Sequence, residues 1–403
     1  MTSPTLKKIV AGNLCAGCGG CAAAAPGRVV MGMTAEGFLR PIEQAPIDAA
    51  AEAQIAEICP GVGLRLEADE RTNHHYWGPV LATRRGYAAD ADLRHAASSG
   101  GALSGLLAHL LESGAVAGVW QTAAADAPVY ANRTVISRSR ADILAAAGSR
   151  YAPSAPLSDI ADALERGERL AFVGKPCDVA ALRALARNDA RIDACFPYML
   201  SFFCAGVPSQ KGAEAVIAAL GVEREELAAF RFRGNGWPGF ATATRKDGTE
   251  TRMSYHDSWG GILTGHVQLR CRLCPDGTGG FADVVCADAW ACDADGYPLF
   301  EEQEGQSLIV TRTAKGEALV TAACAQGEIK AETIPFADID AMQPGQIIRK
   351  QVVAARTLAL RAIGRPAPRY SGLFVSENGR RLGLAENVKI FLQTLRRALK
   401  RRI

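Results

Sequence analysis

The residues of this chain best suited to chemistry are its cysteines. Cys15, Cys18 and Cys21 in "LCAGCGGCAAAAPG" are each separated by two residues. That spacing lets a backbone curl around a cuboidal iron-sulfur cluster while three thiolates reach three different irons. Gly17, Gly19 and Gly20 ease the chain through so tight a wrap. A bacterial ferredoxin run continues to a fourth cysteine, followed by proline, that serves a second cluster. Here Ala25-Pro26 occupies that place, so the triplet needs one distant thiolate. Cys59 in "EICPGVG" is the only other cysteine before Cys177, and a proline follows it. It is the expected fourth ligand. Structural zinc more often takes two Cys-x-x-Cys knuckles than a run of three.

A second constellation starts from Cys271 and Cys274 in "QLRCRLCPDGTGG". Alone, this knuckle fits zinc, a thiol-redox pair or half of a cluster site. Its setting is a loop rich in Arg, Pro and Gly rather than the opening of a helix beside a βαβ unit, which favours metal. Cys177 in "LAFVGKPCDVAALR" and Cys204 in "LSFFCAGVPS" are plausible partners, each at the end of an expected strand. Loops at the carboxyl ends of parallel strands converge on one edge of a sheet. Cys195, Cys286, Cys292 and Cys324 lack pairing or glycine context and read as buried structural thiols.

The elements that must position these thiols follow from pattern and composition. At 403 residues with 48% hydrophobic content, the chain can bury a large core and divide into several units. Residues 1–66 read as a small cluster-sized module, with an extended "VVMGMTAEGFLRPIE" and a helical "DAAAEAQIAEIC". Residues 67–150 and 151–345 form the body, where helical stretches alternate with buried strands such as "RLAFVG" and "YMLSFFC" in a βαβ rhythm. The expected fold is α/β with α+β elements, a small ferredoxin-like module on a mixed α/β body.

Residues 346–403 read as a helical tail ending in a basic amphipathic helix, "AENVKIFLQTLRRALKRRI". Either it packs on the body with a solvated basic face, or it contacts a membrane surface or partner. A net charge of +3 gives no field that would make nucleic acid the main partner. No run suits a transmembrane span, and "MTSPTLKKIV" lacks the apolar core of a signal peptide, so a cytoplasmic place is expected, with a small-molecule substrate or protein partner.

Several stretches together resemble the iron-sulfur flavoprotein family of the beta subunit of coenzyme F-420 (deazaflavin) hydrogenase and related dehydrogenases. They are "CAGCGGC", "YWGP", "LRHAASSGGALSGLL", "GSRYAPS", "FVGKPCDVAALRAL", "FFCAGVPS" and "CRLCPDGTGGFADVVCADAW", spread over roughly residues 10–330. Plant 7-hydroxymethyl chlorophyll a reductase and ferredoxin-dependent divinyl chlorophyllide vinyl reductase are similar to the same family. The resemblance implies FAD and one or two 4Fe-4S clusters. It implies a second cluster on Cys177, Cys204, Cys271 and Cys274, beside the first on Cys15, Cys18, Cys21 and Cys59, with ferredoxin or another redox protein as electron donor.

On the same footing, Ser98, Ser99, Gly100 and Gly101 stand just before a helix, where free N–H groups, hydroxyls and the helix dipole suit the FAD pyrophosphate; a plain serine cap also accounts for them. Lys175 is a candidate for a phosphate or the flavin edge. Asn235 in "FRGNGWPG" and Asp288 in "ADAW" are candidates for the pocket wall. His95 and His256 are candidate proton donors to a reduced substrate.

The leading expectation is an iron-sulfur flavoprotein oxidoreductase that relays electrons through two clusters to FAD and on to an organic substrate. The alternatives are a non-catalytic electron-transfer subunit of a larger complex and a zinc-stabilised binding protein.

Overall fold

A computed structural model of the chain describes residues 1–67, 72–291, 299 and 302–400. Its centre is a sheet of eight strands: β1 (Ala82–Ala88), β2 (Gly118–Ala124), β3 (Asn132–Ser137), β4 (Leu170–Val173), β5 (Tyr198–Phe202), β6 (Val284–Asp288), β7 (Ser307–Thr311) and β8 (Ile329–Thr333). Their spatial order is β8-β1-β7-β6-β5-β4-β2-β3. β2, β4, β5 and β6 run parallel to one another, and the flanking pairs are antiparallel. The mixed α/β architecture expected above is therefore present.

Strands covered on both faces read as continuous apolar runs, and every residue of β4 and of β7 is buried. Alternate residues serve opposite layers. Leu170 and Phe172 enter a core with Val179, Leu182 and Phe196, while Ala171 and Val173 enter another with Leu106, Leu107 and Val320. The first layer contains the helix Pro176–Ala186, which leaves β4 with proline in its first turn, a position where the missing N–H costs nothing. The second contains the helices Ala102–Glu112 and Ala314–Ala325.

The N-terminal module packs into the first layer, with Leu6, Cys18, Ala22, Ile55 and Ile58 in the same core as Phe172. Its expected helix is Ala49–Ile58, capped by the Asp48 carboxylate accepting from the Ala51 N–H at 2.9 Å. A separate three-stranded antiparallel sheet, Leu227–Arg231, Phe240–Arg245 and Glu250–Ser254, packs with the helix Gln210–Ala219 around Phe230, Phe232 and Val216.

The C-terminal segment is stitched to the rest of the chain. Strand Arg369–Ser371 pairs in parallel with Gly63–Arg65 of the N-terminal module, and the Tyr370 hydroxyl donates to the Leu273 carbonyl at 2.5 Å. The last helix, Leu384–Leu399, packs on the helix Val353–Ala362. Among the described residues no helix is long and apolar enough to cross a membrane.

Candidate functional site

The N-terminal thiols are gathered by two loops. The first bends through Gly17 and Gly19, whose φ values of +78° and +87° are the left-handed conformations that side chains disfavour. At Gly19 a Cβ would also lie 2.6 Å from the Ser158 nitrogen. The second loop leaves the helix Ala49–Ile58 at Cys59. There Gly61 lies so close to the Leu14 carbonyl that a side chain would collide with it, which presses the Cys59 loop against the Cys15 loop. Cys15 and Cys18 are buried, Cys21 and Cys59 half-buried. Cys15 Sγ accepts from the Gly17 N–H at 3.3 Å.

Burial pushes the Cys59 thiol up to about 11, with a further push from Cys15. It drives Cys21 well above the ordinary range, with Cys15, Cys18 and Cys59 adding to the rise. Each such thiolate would be costly alone in this setting. At Cys15 burial is the larger effect and Arg40, which is itself buried, works against it.

The other four expected ligands line one small pocket, about 350 Å³ of empty space that is partly open to solvent. Cys177 opens the helix that follows β4, and Cys204 comes two residues after β5, so the parallel strands deliver both to one edge. Cys271 lies in a one-turn helix, Leu269–Arg272, and Cys274 in the loop that follows it, so the knuckle expected in a loop is half helical; that loop is held by the Cys204 N–H donating to the Gly277 carbonyl at 2.8 Å. Cys271 Sγ accepts from the Val207 N–H at 3.4 Å and from the Gln268 amide at 3.5 Å. Burial pushes Cys204 up to about 12, with Cys271 adding to it.

Arg270 and Arg349 line the same cavity, as does Ala16, the neighbour of Cys15. Among the described residues, no three His, Cys, Asp or Glu side chains are placed to hold a single metal ion. Cys195 is buried apart from both sets, near the Ala163 carbonyl, and Cys292 lies outside the described residues.

A much larger cleft, about 1590 Å³ of empty space open to solvent, lies at the carboxyl edge of the parallel strands, where α/β sheets bind their ligands. Gln121 and Thr122 of β2, Val173 to Lys175 at the end of β4, Phe202 to Cys204 at the end of β5, and Cys286 to Asp288 of β6 all reach it. Cys204 lines both this cleft and the thiol cavity.

Of the residues expected to bind a cofactor, Ser98, Ser99, Gly101, Lys175 and Asp288 line the cleft. Gly101, at φ +73°, caps the helix Ala102–Glu112, whose first turn opens on the cleft. The Ser99 hydroxyl is engaged with Ser307 Oγ at 2.9 Å and the Gln306 carbonyl at 3.0 Å. Gly100 sits behind it, packed so closely on Gly86 and Ser307 that no side chain would fit.

Lys175 does not present a free ammonium. Its Nζ lies 2.8 Å from both Asp178 Oδ2 and Ser154 Oγ. Burial penalises the charge, but Asp178 outweighs that and holds Lys175 protonated.

Asn235, His95 and His256 are not among the cleft-lining residues, and both histidines are exposed. Asn235 adopts φ +54° in a turn beside the cleft wall, a backbone role that asparagine tolerates. The groups that do line the wall include several that no local motif announces. Arg233, 2% exposed, makes paired bonds of 2.7 and 2.9 Å to Asp288 and lies beneath the rings of Tyr255 and Trp290 at 4.6 and 5.1 Å. Trp237 Nε1 donates to the same carboxylate at 2.9 Å. Cys286, expected to be structural, also faces the cleft, and burial pushes it up to about 12.

Two family descriptions match, both for the beta subunit of coenzyme F420 hydrogenase/dehydrogenase: residues 83–161 match its N-terminal part and residues 167–336 its C-terminal part. Together the two matches cover more than half of the chain. The coenzyme F420 hydrogenase beta subunit of Methanococcus voltae is 24% identical over 300 residues, 70% of this chain and 95% of that protein. One of the subunits of the F(420)H(2) dehydrogenase of Methanosarcina mazei is 25% identical over 200 residues, 46% of this chain and 52% of that protein.

A chain from the F420-reducing NiFe hydrogenase complex of Methanosarcina barkeri superposes with a TM-score of 0.56 at 19% identity, covering 75% of this chain and 99% of that one. At that identity the likeness is one of fold. Both relatives are named as subunits. The chain belongs to the family of the coenzyme F420 hydrogenase/dehydrogenase beta subunit.

Proposed function

We propose that the chain is an electron-transfer subunit of a larger oxidoreductase complex, holding two 4Fe-4S clusters and FAD and exchanging electrons with a ferredoxin-type donor or a partner subunit. The observation that carries this reading is the shared wall. Cys204 borders both the four-thiol cavity and the cleft, and Ala16, next to Cys15, borders that cavity from the other side. The two thiol sets and the cleft thus form one contiguous series.

When bound, the clusters would pass single electrons and the flavin would accept or release two. The chain's own residues fit these groups. Cys15, Cys18, Cys21 and Cys59 would hold one cluster, and Cys177, Cys204, Cys271 and Cys274 the other. Burial that raises the thiols of Cys18, Cys21, Cys59, Cys177 and Cys204 means that ligation must displace protons, which ties loading to folding. The cleft is open to solvent along the carboxyl edge of the sheet and is reached from four of its parallel strands, a run long enough to seat an extended dinucleotide. Leu103 and Ser104, in the first turn after Gly101, line the cleft, where the N–H groups of a helix start suit a pyrophosphate, and Trp290 and Tyr255, stacked at 5.9 Å, give a flat wall for a ring system. Asp288 holds Arg233 in place behind that wall.

Anaerobic purification with iron, sulfide and flavin counted per chain tests the cofactors. Roughly eight irons with released FAD are expected, and a colourless protein carrying zinc overturns the proposal. The role is tested by expressing the chain with candidate partner subunits. Co-purification is expected, and full turnover of an organic substrate by the isolated chain overturns the subunit reading in favour of a self-sufficient reductase.

A further inference from the structure

The C-terminal segment carries two features that electron transfer leaves unused. The first is charge. Fourteen of the 45 Lys and Arg residues but only two of the 42 Asp and Glu residues fall within residues 346–403. The remaining 345 residues carry 31 basic against 40 acidic side chains, so a nearly neutral chain is strongly cationic at one end. The second is exposed apolar surface. Six of the twelve large apolar side chains exposed among the described residues, Ile348, Leu358, Leu384, Val388, Leu392 and Leu399, lie in this segment.

The helix Leu384–Leu399 brings the two features together. At 100° per residue, Thr394 and Ala398 mark the face buried on the body, with Ile390 and Phe391 half-buried beside them. Leu384, Val388, Leu392 and Leu399 form an adjacent stripe, from 49% to 82% exposed. Lys389, Arg396 and Lys400 run along the far side of that stripe, all exposed. An apolar strip bordered by cations is the pattern of a helix lying in the plane of an anionic bilayer, with leucines in the acyl boundary and ammonium and guanidinium groups among the headgroups. At 16 residues the helix is too short to span, which takes about 20.

A protein interface core would be enriched in aromatic residues and depleted in lysine. The stripe is purely aliphatic, and two of the three cations along its far side, Lys389 and Lys400, are lysines. We propose that this face is a membrane-association surface that seats the chain on anionic lipid. The inference stands apart from the cofactor reading, since it uses none of the thiols and none of the cleft.

The test is co-sedimentation of the full chain with phosphatidylcholine vesicles, with and without phosphatidylglycerol. Binding is expected only to the anionic vesicles and is expected to fall steeply with salt. Leu384→Ser combined with Leu392→Ser should lower the partition about tenfold, and Arg396→Glu combined with Lys400→Glu should abolish it. All four positions are exposed, so circular dichroism and iron content should stay at wild-type levels. Three results overturn the proposal: wild-type protein left in the supernatant at low salt, leucine variants that bind as well as wild type, and a co-purified partner protein that covers this helix and prevents vesicle binding by the complex.

Discussion

Arg270 Nε donates to the Pro60 carbonyl at 2.9 Å, which ties a guanidinium from the loop of Cys271 and Cys274 to the residue beside Cys59. Arg270 is 1% exposed, lines the four-thiol cavity, and its Nη2 has no hydrogen-bond partner among the described residues. An unpaired buried cation is costly unless negative charge lies close by. Here burial opposes the guanidinium, yet Tyr370 and the thiols of Cys274, Cys177 and Cys271 more than compensate and hold it protonated. Its charge also bears on Cys15 and Cys59. One arginine therefore sits within the field of both thiol sets.

Arg270→Gln should shift the midpoint potentials of both proposed clusters to more negative values. Reduction adds negative charge, and the variant lacks the cation that stabilises it. An effect of about 1–2 kcal/mol per site, reasonable at an effective dielectric near 20, corresponds to roughly 40–90 mV for one electron. An anaerobic redox titration followed by electron paramagnetic resonance reads both centres. A shift in one centre only would show that the Pro60 contact is structural and carries no coupling.

Cys59→Ser and Cys204→Ser should each remove about one cluster's worth of iron, roughly four atoms per chain, while Cys195→Ser should leave the count unchanged. Cys204→Ser should additionally slow electron exchange with a cleft-bound flavin, since that thiol stands in the shared wall. Iron and sulfide assays on the three variants decide the ligand assignment, and an unchanged count in Cys59→Ser refutes the first set.

The thiols are legible in the sequence because cysteine is rare, reactive and locally spaced, and because a proline marks Cys59 as it marks Cys274. The βαβ rhythm likewise places Cys177 and Cys204 at strand ends on one edge. The cleft wall is not legible. Arg233 and Asp288 are 55 residues apart in sequence, and Tyr255, at the junction of a strand and a helical turn, is 35 residues from Trp290, so only the tertiary fold makes them neighbours. His95 and His256 stand out in the sequence by residue type alone, and the fold leaves both exposed. Lys175 suits a phosphate on sequence grounds, but Asp178, one helical turn away, neutralises it. The terminal segment reads as a tail in sequence because nothing local reveals that strand Arg369–Ser371 pairs with Gly63–Arg65.

Asp288→Ala should destabilise the protein by about 3 kcal/mol, because it leaves Arg233 buried without its carboxylate. The double variant Arg233→Met with Asp288→Leu should recover most of that loss, since a buried pair replaced by apolar groups of similar size is often near neutral. Flavin content should stay low in both, since Asp288→Ala releases Arg233 from the carboxylate that holds it under the wall formed by Tyr255 and Trp290, and the double variant removes that cation altogether. Urea unfolding and flavin assay together separate the structural from the binding role. Full flavin content in the double variant would show that the pair only supports the fold.

Arg140 joins three elements next to the helix that opens on the cleft. It reaches Asp90 at 2.9 Å, Glu112 at 2.7 Å and Glu328 at 2.8 Å. Hydrogen bonds from Arg140 hold Glu112 below the usual carboxylate range, and the Leu93 N–H followed by Arg140 does the same for Asp90. A carboxylate whose pKa is lower in the folded than in the unfolded chain adds stability above the unfolded value, about 4. That stability is lost as pH falls through the folded value. All four side chains are partly exposed, so solvent screens the network and Arg140→Ala should cost only about 1 kcal/mol at pH 7. The gap to wild type should narrow as pH drops below about 4, where protonation removes the carboxylates' share. Thermal melts of both proteins at pH 7, 5 and 3.5 read the trend, and a gap that stays constant across that range would show that Arg140 acts through packing of its aliphatic stem rather than through charge.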